Sequence, residues 1–331
     1  MRVVAAPDKF RGTGSAQQVA LAIAGAVSGL GGSTDMVPMA DGGEGTLDVL
    51  GGPNRSTTVT GPLGEPVEAQ WRLDGHTAVI EMARASGLDL VGGQAGNSPL
   101  DATTAGTGEL ILAAVEKGAR RVIIGLGGAA TTDGGLGALR AMGSPARFRG
   151  IELLVACDVR TRFVDAAEVF GPQKGASPAQ VAMLRGRLER LAQVYAGEHG
   201  VDVAGLDRSG AAGGLAGGLA ALGAGLVDGF DLVAEEVALD EVVAGADLVV
   251  TGEGRLDEAS FEGKVVGGVA AYAAAAGVPL LVVAGQVDPG VAGRVEAISL
   301  VEEFGEERAI ADTLACVEEA VASNLGSRWP A

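Results

Sequence analysis

Six short β-branched runs punctuate this chain, each closed by a glycine or an acidic residue: RVVAAPD, AVIEMA, RVIIGLGG, ELLVACD, DLVVTGEG and PLLVVAG. Near-continuous apolar runs of this kind belong to strands buried on both faces. With helical stretches between them, they predict a mainly parallel sheet covered by helices on either side. An open parallel sheet takes its ligands beyond the carboxyl ends of the strands, at a point where successive connections leave in opposite directions. At 331 residues the chain exceeds one ordinary domain, so two α/β lobes are expected.

The helical stretches carry their own signals. Ser15 with Gln18 forms a capping-box pattern, and Val19, Ile23 and Val27 then fall on one face. A second helix is expected over 106–118 and a third, richer in arginine, over 180–195. Leu215, Leu219 and Leu222 keep helical spacing within the Gly/Ala-rich stretch 210–225, which reads as a tightly packed helix pair. The uncharged stretch 265–287 is long enough for a membrane span, but Gly277-Val278-Pro279 divides it into an Ala-rich helix and a short strand.

Composition excludes several classes of partner. The formal net charge of -18 repels nucleic acid and anionic membranes. Two distant cysteines, Cys157 and Cys316, form neither a disulfide framework nor a zinc motif, and MRVVAAPDKF has no signal-peptide pattern, so a cytoplasmic protein is expected. Only four lysines are present, three of them beside Gly-rich segments. With no histidine in any motif, hydrolase or hydride-transfer chemistry built on histidine has little support.

The acidic and Gly-rich positions fall at the strand ends: Asp8-Lys9-Phe10-Arg11-Gly12, then ADGGEGT (40–46), LGGAATTDGG (126–135), Cys157-Asp158, and TGEGRLD (251–257) followed by Gly263-Lys264. Each alone reads most simply as a tight turn. Together they supply what phosphoryl transfer needs, namely carboxylates for a metal, backbone amides around phosphates, and cations against developing charge. A rival signal lies in residues 125–130, which fit the dinucleotide pattern G-x-G-x-x-A with Asp158 ending the next strand, as an NAD(P)-dependent oxidoreductase would require. No Walker A motif is present, because Gly263-Lys264 is followed by Val265.

The segments APDKFRG, PMADGGEGT, GPLGEPV, EMARASGL, the run from NSPLDATTAGTGE to GLGGAATTDGGLGALRAMG, VFGPQKGA, GAAGGLAGGL and TGEGRLD…GK resemble, in order, the signature series of the bacterial glycerate kinase family, of the glycerate 2-kinase type. The resemblance spans essentially the whole chain. It implies a two-lobed α/β enzyme that phosphorylates D-glycerate with ATP and Mg²⁺, giving 2-phosphoglycerate. It also implies a flavodoxin-like lobe built from both chain ends (1–45 with 235–331) and an inserted α/β lobe (46–234). Lys9, Arg11, Ala129, Thr132 and Ala259 depart from the family pattern, which bears on substrate identity more than on reaction class. A kinase for another small hydroxy acid and a non-catalytic binder of the same fold are the alternatives; a homo-oligomer is compatible with all of them.

Within that reading, Asp41, Asp158 and Glu253 are the expected metal ligands, since hard oxygen donors suit Mg²⁺. Asp133 and Asp257 are candidates to accept the substrate hydroxyl proton, with Lys264 as a catalytic cation. Lys9, Arg11, Arg84 and Arg255 could hold the substrate carboxylate. Gly42, Gly43, Gly127, Gly128 and Lys174 are expected around the nucleotide phosphates.

Overall fold

The computed structural model describes residues 1–328, and the chain is α/β. Its strands are β1 (Arg2–Ala5), β2 (Ser33–Met36), β3 (Arg55–Thr60), β4 (Pro66–Asp74), β5 (Thr77–Glu81), β6 (Arg121–Gly125), β7 (Glu152–Cys157), β8 (Gly225–Asp228), β9 (Leu248–Leu256), β10 (Leu280–Val287) and β11 (Ala297–Ser299). The chain folds as two compact units: Met1–Asp41 with the chain from Phe230 onward, and Gly42–Gly229. The lines expected at 45/46 and 234/235 correspond to 41/42 and 229/230 in this division.

The first unit is a five-stranded sheet ordered β2-β1-β9-β10-β11, parallel throughout. Counted within the unit this is 2-1-3-4-5, the flavodoxin-like order, whose switch point lies between β1 and β9. The strands are apolar on both faces because both faces are covered. Leu281 and Val283 join a core with Val19, Ile23, Val317 and Val321, from the helices Ala16–Gly29 and Thr313–Arg328. Val282 and Ala284 join a second core with Val266, from the helix Val265–Ala276. Ser15 and Gln18 close the expected capping box. Residues 265–287 divide as expected: Gly277, in the left-handed region at φ 68°, ends the helix before β10. Among the described residues no helix is long and apolar enough to cross a membrane.

The second unit is a six-stranded sheet ordered β3-β4-β5-β6-β7-β8, in which only β5 to β8 are parallel. The expectation of parallel pairing therefore fails at β3 and β4. No apolar run marks these strands, because β3 is the polar RSTTVT and β4 buries only Ala69 and Trp71 in alternation. Trp71 is fully buried and its indole N–H donates to Thr57 Oγ1 at 2.9 Å, so one cross-strand pair anchors this edge. The short β8 and β11 were likewise not legible.

Helices Ala105–Glu116 and Leu136–Met142 approach so closely that a Cβ on Gly108 would lie 2.3 Å from the Ala138 carbonyl oxygen. The arginine-rich helix runs Pro178–His199, longer than expected at both ends, and opens on a second capping box from Ser177 and Gln180. The helix pair expected over 210–225 is a correction: a 3₁₀ turn, Ala211–Gly214, precedes a single short helix, Leu215–Ala221. Ala212 and Gly213 have φ of 51° and 67°, and a Cβ on Gly213 would strike the Thr131 carbonyl oxygen. Close backbone packing breaks the helix here despite the leucine spacing.

Candidate active site

The switch point of the first unit gathers an acidic cluster. Asp8, just past β1, donates its amide N–H to the Gly252 carbonyl of β9 at 2.8 Å, and its Oδ1 accepts the Lys9 amide N–H at 2.7 Å. A Cβ on Gly252 would strike the Val283 carbonyl oxygen, so only glycine lets the strands approach at this level. Burial pushes the Asp8 carboxyl up to about 6, opposed chiefly by the Lys9 charge and assisted by Asp41. The carboxyl of Glu253, on β9, is pushed up to about 7 by burial, against a hydrogen bond from Ser260; Asp8, Lys264 and Asp257 also act on it. Its Oε1 is buried with no hydrogen-bond partner. Lys264 supplies the N-cap position of the helix Val265–Ala276, so an ammonium and the positive end of a twelve-residue helix share this locality.

Other expected residues of this unit have structural partners. Asp257 caps the 3₁₀ turn Glu258–Phe261, accepting the Ser260 amide N–H while its own amide donates to Ser260 Oγ at 2.9 Å. Arg255 stands outermost, 62% exposed, 3.3 Å from Asp288 and 4.0 Å from Asp257. Arg11 is exposed and Lys9 half-buried.

In the second unit, Gly127, Gly128, Asp158 and Lys174 line one small cavity of about 100 Å³ together with Phe170 and Ala212. Lys174 is buried; its Nζ donates to the Thr131 carbonyl oxygen at 2.5 Å, and desolvation lowers its pKa to about 7 against the pull of Asp133. Asn97 Nδ2 donates to the carbonyls of Ala130 (3.0 Å) and Lys174 (2.9 Å), tying this loop to the Lys174 turn. Gly42 and Gly43 serve close backbone packing: the Leu126 amide donates to the Gly42 carbonyl at 3.0 Å, and a Cβ on Gly127 would lie 3.1 Å from Gly43 Cα.

Asp133 is bound within its own loop. Its oxygens accept the amides of Thr104 (2.9 Å), Gly135 (3.1 Å) and Gly137 (3.1 Å) and the Thr104 hydroxyl (2.9 Å). A carboxylate with that many donors organises its own loop. Arg84 is similarly engaged, with Glu81 at 3.3 Å and Asp48 at 3.7 Å. Glu81, missed in the sequence, is buried and accepts the amides of Gly45 and Leu47, each at 2.8 Å, holding the end of the ADGGEGT loop. The signal for Asp8 in the sequence is its place directly after the first apolar run. The dinucleotide reading loses its context: residues 126–135 form an extended loop, and no helix starts before Leu136. Among the described residues no group of three or more His, Cys, Asp or Glu side chains is arranged to hold a metal.

The profile of the glycerate kinase family matches residues 3–147 and 144–325. The chain is 40% identical over 331 aligned positions to a glycerate 2-kinase of Escherichia coli K12, covering 88% of this chain and 87% of that one. It is 40% identical to a glycerate kinase of Bacillus subtilis 168, covering 87% and 85%. The crystal structure of a candidate glycerate kinase 2 from Salmonella typhimurium LT2 superposes with a TM-score of 0.84 at 34% identity, covering 99% of both chains.

The chain belongs to the glycerate kinase family. As a member of that family it is an enzyme of the kinase class, and the expected two α/β lobes agree with the fold of its structural relative. The carboxylates and Lys264 sit at a flavodoxin-type switch point, where sheet topology directs attention.

Proposed function

We propose that this enzyme transfers the γ-phosphoryl group of ATP to a hydroxyl of D-glycerate, giving 2-phosphoglycerate, with Mg²⁺ as the counter-ion. The observation that carries the reading is the pair of desolvated carboxylates, Asp8 and Glu253, beside Lys264 at the switch point of the first unit. Phosphoryl transfer is dominated by positioning and by cations set against developing charge, which suits such a cluster.

Magnesium fits the residues present, because Glu253 Oε1 is buried without a partner and a divalent cation would satisfy it. Glu253 and Asp41, both of the first unit, would hold the ion; when bound, it would neutralise phosphate charge. Lys264 would face the transferred phosphoryl group. Gly127, Gly128 and Lys174, which line one cavity, are the expected phosphate contacts of the second unit.

Asp8 replaces Asp133 and Asp257 as the proposed base. Its pKa of about 6 is closer to working pH than an ordinary carboxylate's, and with Oδ1 held by the Lys9 amide, Oδ2 would take the substrate proton. Arg11, exposed on the loop after β1, is the better candidate for the glycerate carboxylate, since Arg84 and Arg255 are paired to acids. A reaction that consumes ATP belongs where ATP is made available, so a cytoplasmic location goes with this reading.

The test is a coupled ADP-release assay with Mg-ATP and D-glycerate, the product's phosphorus coupling pattern being read by NMR. Glycerate-dependent turnover with phosphate on C2 supports the proposal. Turnover with a different hydroxy acid only would move the substrate, and a folded protein that releases no ADP with any of them would sink the assignment.

A further inference from the structure

Within the second unit a larger cavity, about 730 Å³, opens beside the helix Pro178–His199. Its volume falls in the range of small-molecule sites, which combine apolar walls with a few polar groups. The walls are Leu136, Leu184, Leu188 and Leu191, and at the mouth Met183 and Val194 are 52% and 38% exposed. Three arginines, Arg140, Arg187 and Arg190, also line it, all solvent-exposed.

The charge pattern here runs against the rest of the protein. In a chain of net charge -18, most arginines find a carboxylate, yet none of these three forms an ion pair among the described residues. Arg187 donates only to the Leu100 carbonyl, at 2.7 Å. One further polar group belongs to the lining: Thr132 is 1% exposed, and its hydroxyl has no hydrogen-bond partner. The one acid lining the cavity, Asp133, is already committed to the amides of its own loop.

Gly186 adds an independent mark. It sits in the middle of a 22-residue helix, where glycine is a poorer helix former than alanine. It lines the cavity, and a Cβ built on it would meet nothing within 4 Å. No packing constraint demands glycine there, and its effect is to leave the mouth open.

We propose that this cavity is a binding site for an amphipathic carboxylate, an aliphatic chain with an anionic head. The chain would lie along the leucine walls and the head at the mouth, on Arg140 and Arg190. Apolar burial supplies most of the affinity, and the guanidinium groups select an anion. The site uses none of the residues assigned to phosphoryl transfer and stands whether or not the glycerate reading holds.

The test is isothermal titration of the full chain with decanoate, kept below its micelle-forming concentration, and with decanol as the uncharged probe. Saturable one-to-one binding of decanoate, at least tenfold tighter than decanol, is expected. Arg140→Ala combined with Arg190→Ala should weaken decanoate tenfold or more and leave decanol nearly unchanged. Gly186→Phe should block both ligands while retaining or raising the melting temperature. Absence of saturable binding, or binding that none of these substitutions alters, overturns the proposal. A concentration-dependent dimer that buries this face and excludes decanoate would also overturn it.

Discussion

A buried carboxylate needs either a proton or a cation, and Glu253 carries an oxygen with no donor. Its raised pKa fixes the sign of its effect on stability. The contribution is fully present below the ordinary glutamate pKa and is lost as pH rises through about 7. Glu253→Gln should therefore raise the melting temperature at pH 8 relative to pH 5, while phosphoryl transfer drops by two orders of magnitude or more. A variant that keeps its turnover would remove Glu253 from the reaction. Lys174 behaves in the opposite sense, as a base whose pKa is depressed to about 7. Its folded state gains stability as pH climbs from about 7 toward the ordinary lysine value, because the unfolded chain then holds the extra proton. Lys174→Met abolishes that gain and strands the Thr131 carbonyl, an unsatisfied group costing about 1–3 kcal/mol. Urea melts at pH 6 and pH 9 should show a deficit of the variant against the parent that widens at the higher pH.

At the scale of elements, contacts decide more than local propensity. The capping box at Ser15 is worth about 1 kcal/mol, so Ser15→Ala should lower stability by that order in a urea melt. Burial of a single Val or Ile contributes about 1.5–3 kcal/mol, and the helix Ala16–Gly29 buries Val19, Ile23 and Val27 completely. Packing thus outweighs the cap. The same logic applies between the helices Ala105–Glu116 and Leu136–Met142, where Gly108 permits contact with the Ala138 backbone. Gly108→Ala improves helix propensity yet should destabilise by about 1–3 kcal/mol, because a backbone atom cannot step aside as a side chain can. Stabilisation in a thermal melt would mean that the two helices separate at little cost.

For the whole molecule, each unit carries its own hydrophobic cores, with Val3, Ile23 and Val250 in one and Leu110, Ile124 and Leu215 in the other. A Cβ on Gly42 would lie 2.6 Å from Gly229 Cα, so the two ends of the second unit adjoin. Residues 42–229 produced alone should fold cooperatively, with a single urea transition by circular dichroism; a broad, non-cooperative loss of signal would show that this unit depends on the flanking chain. The sequence by itself determined whatever depends on neighbours a few residues apart: the apolar strands, the capping boxes, the glycine-broken stretch 265–287, the loop motifs and the family they mark. Only the tertiary structure decided the pairing of the polar strands β3 and β4, the structural duty of Asp133, the ion pairs of Arg84, and the isolation of Glu253 Oε1. The reason is physical. Periodicity and capping are local, whereas burial, electrostatic coupling and hydrogen-bond satisfaction arise from residues such as Asp8 and Glu253, brought together across the full length of the chain.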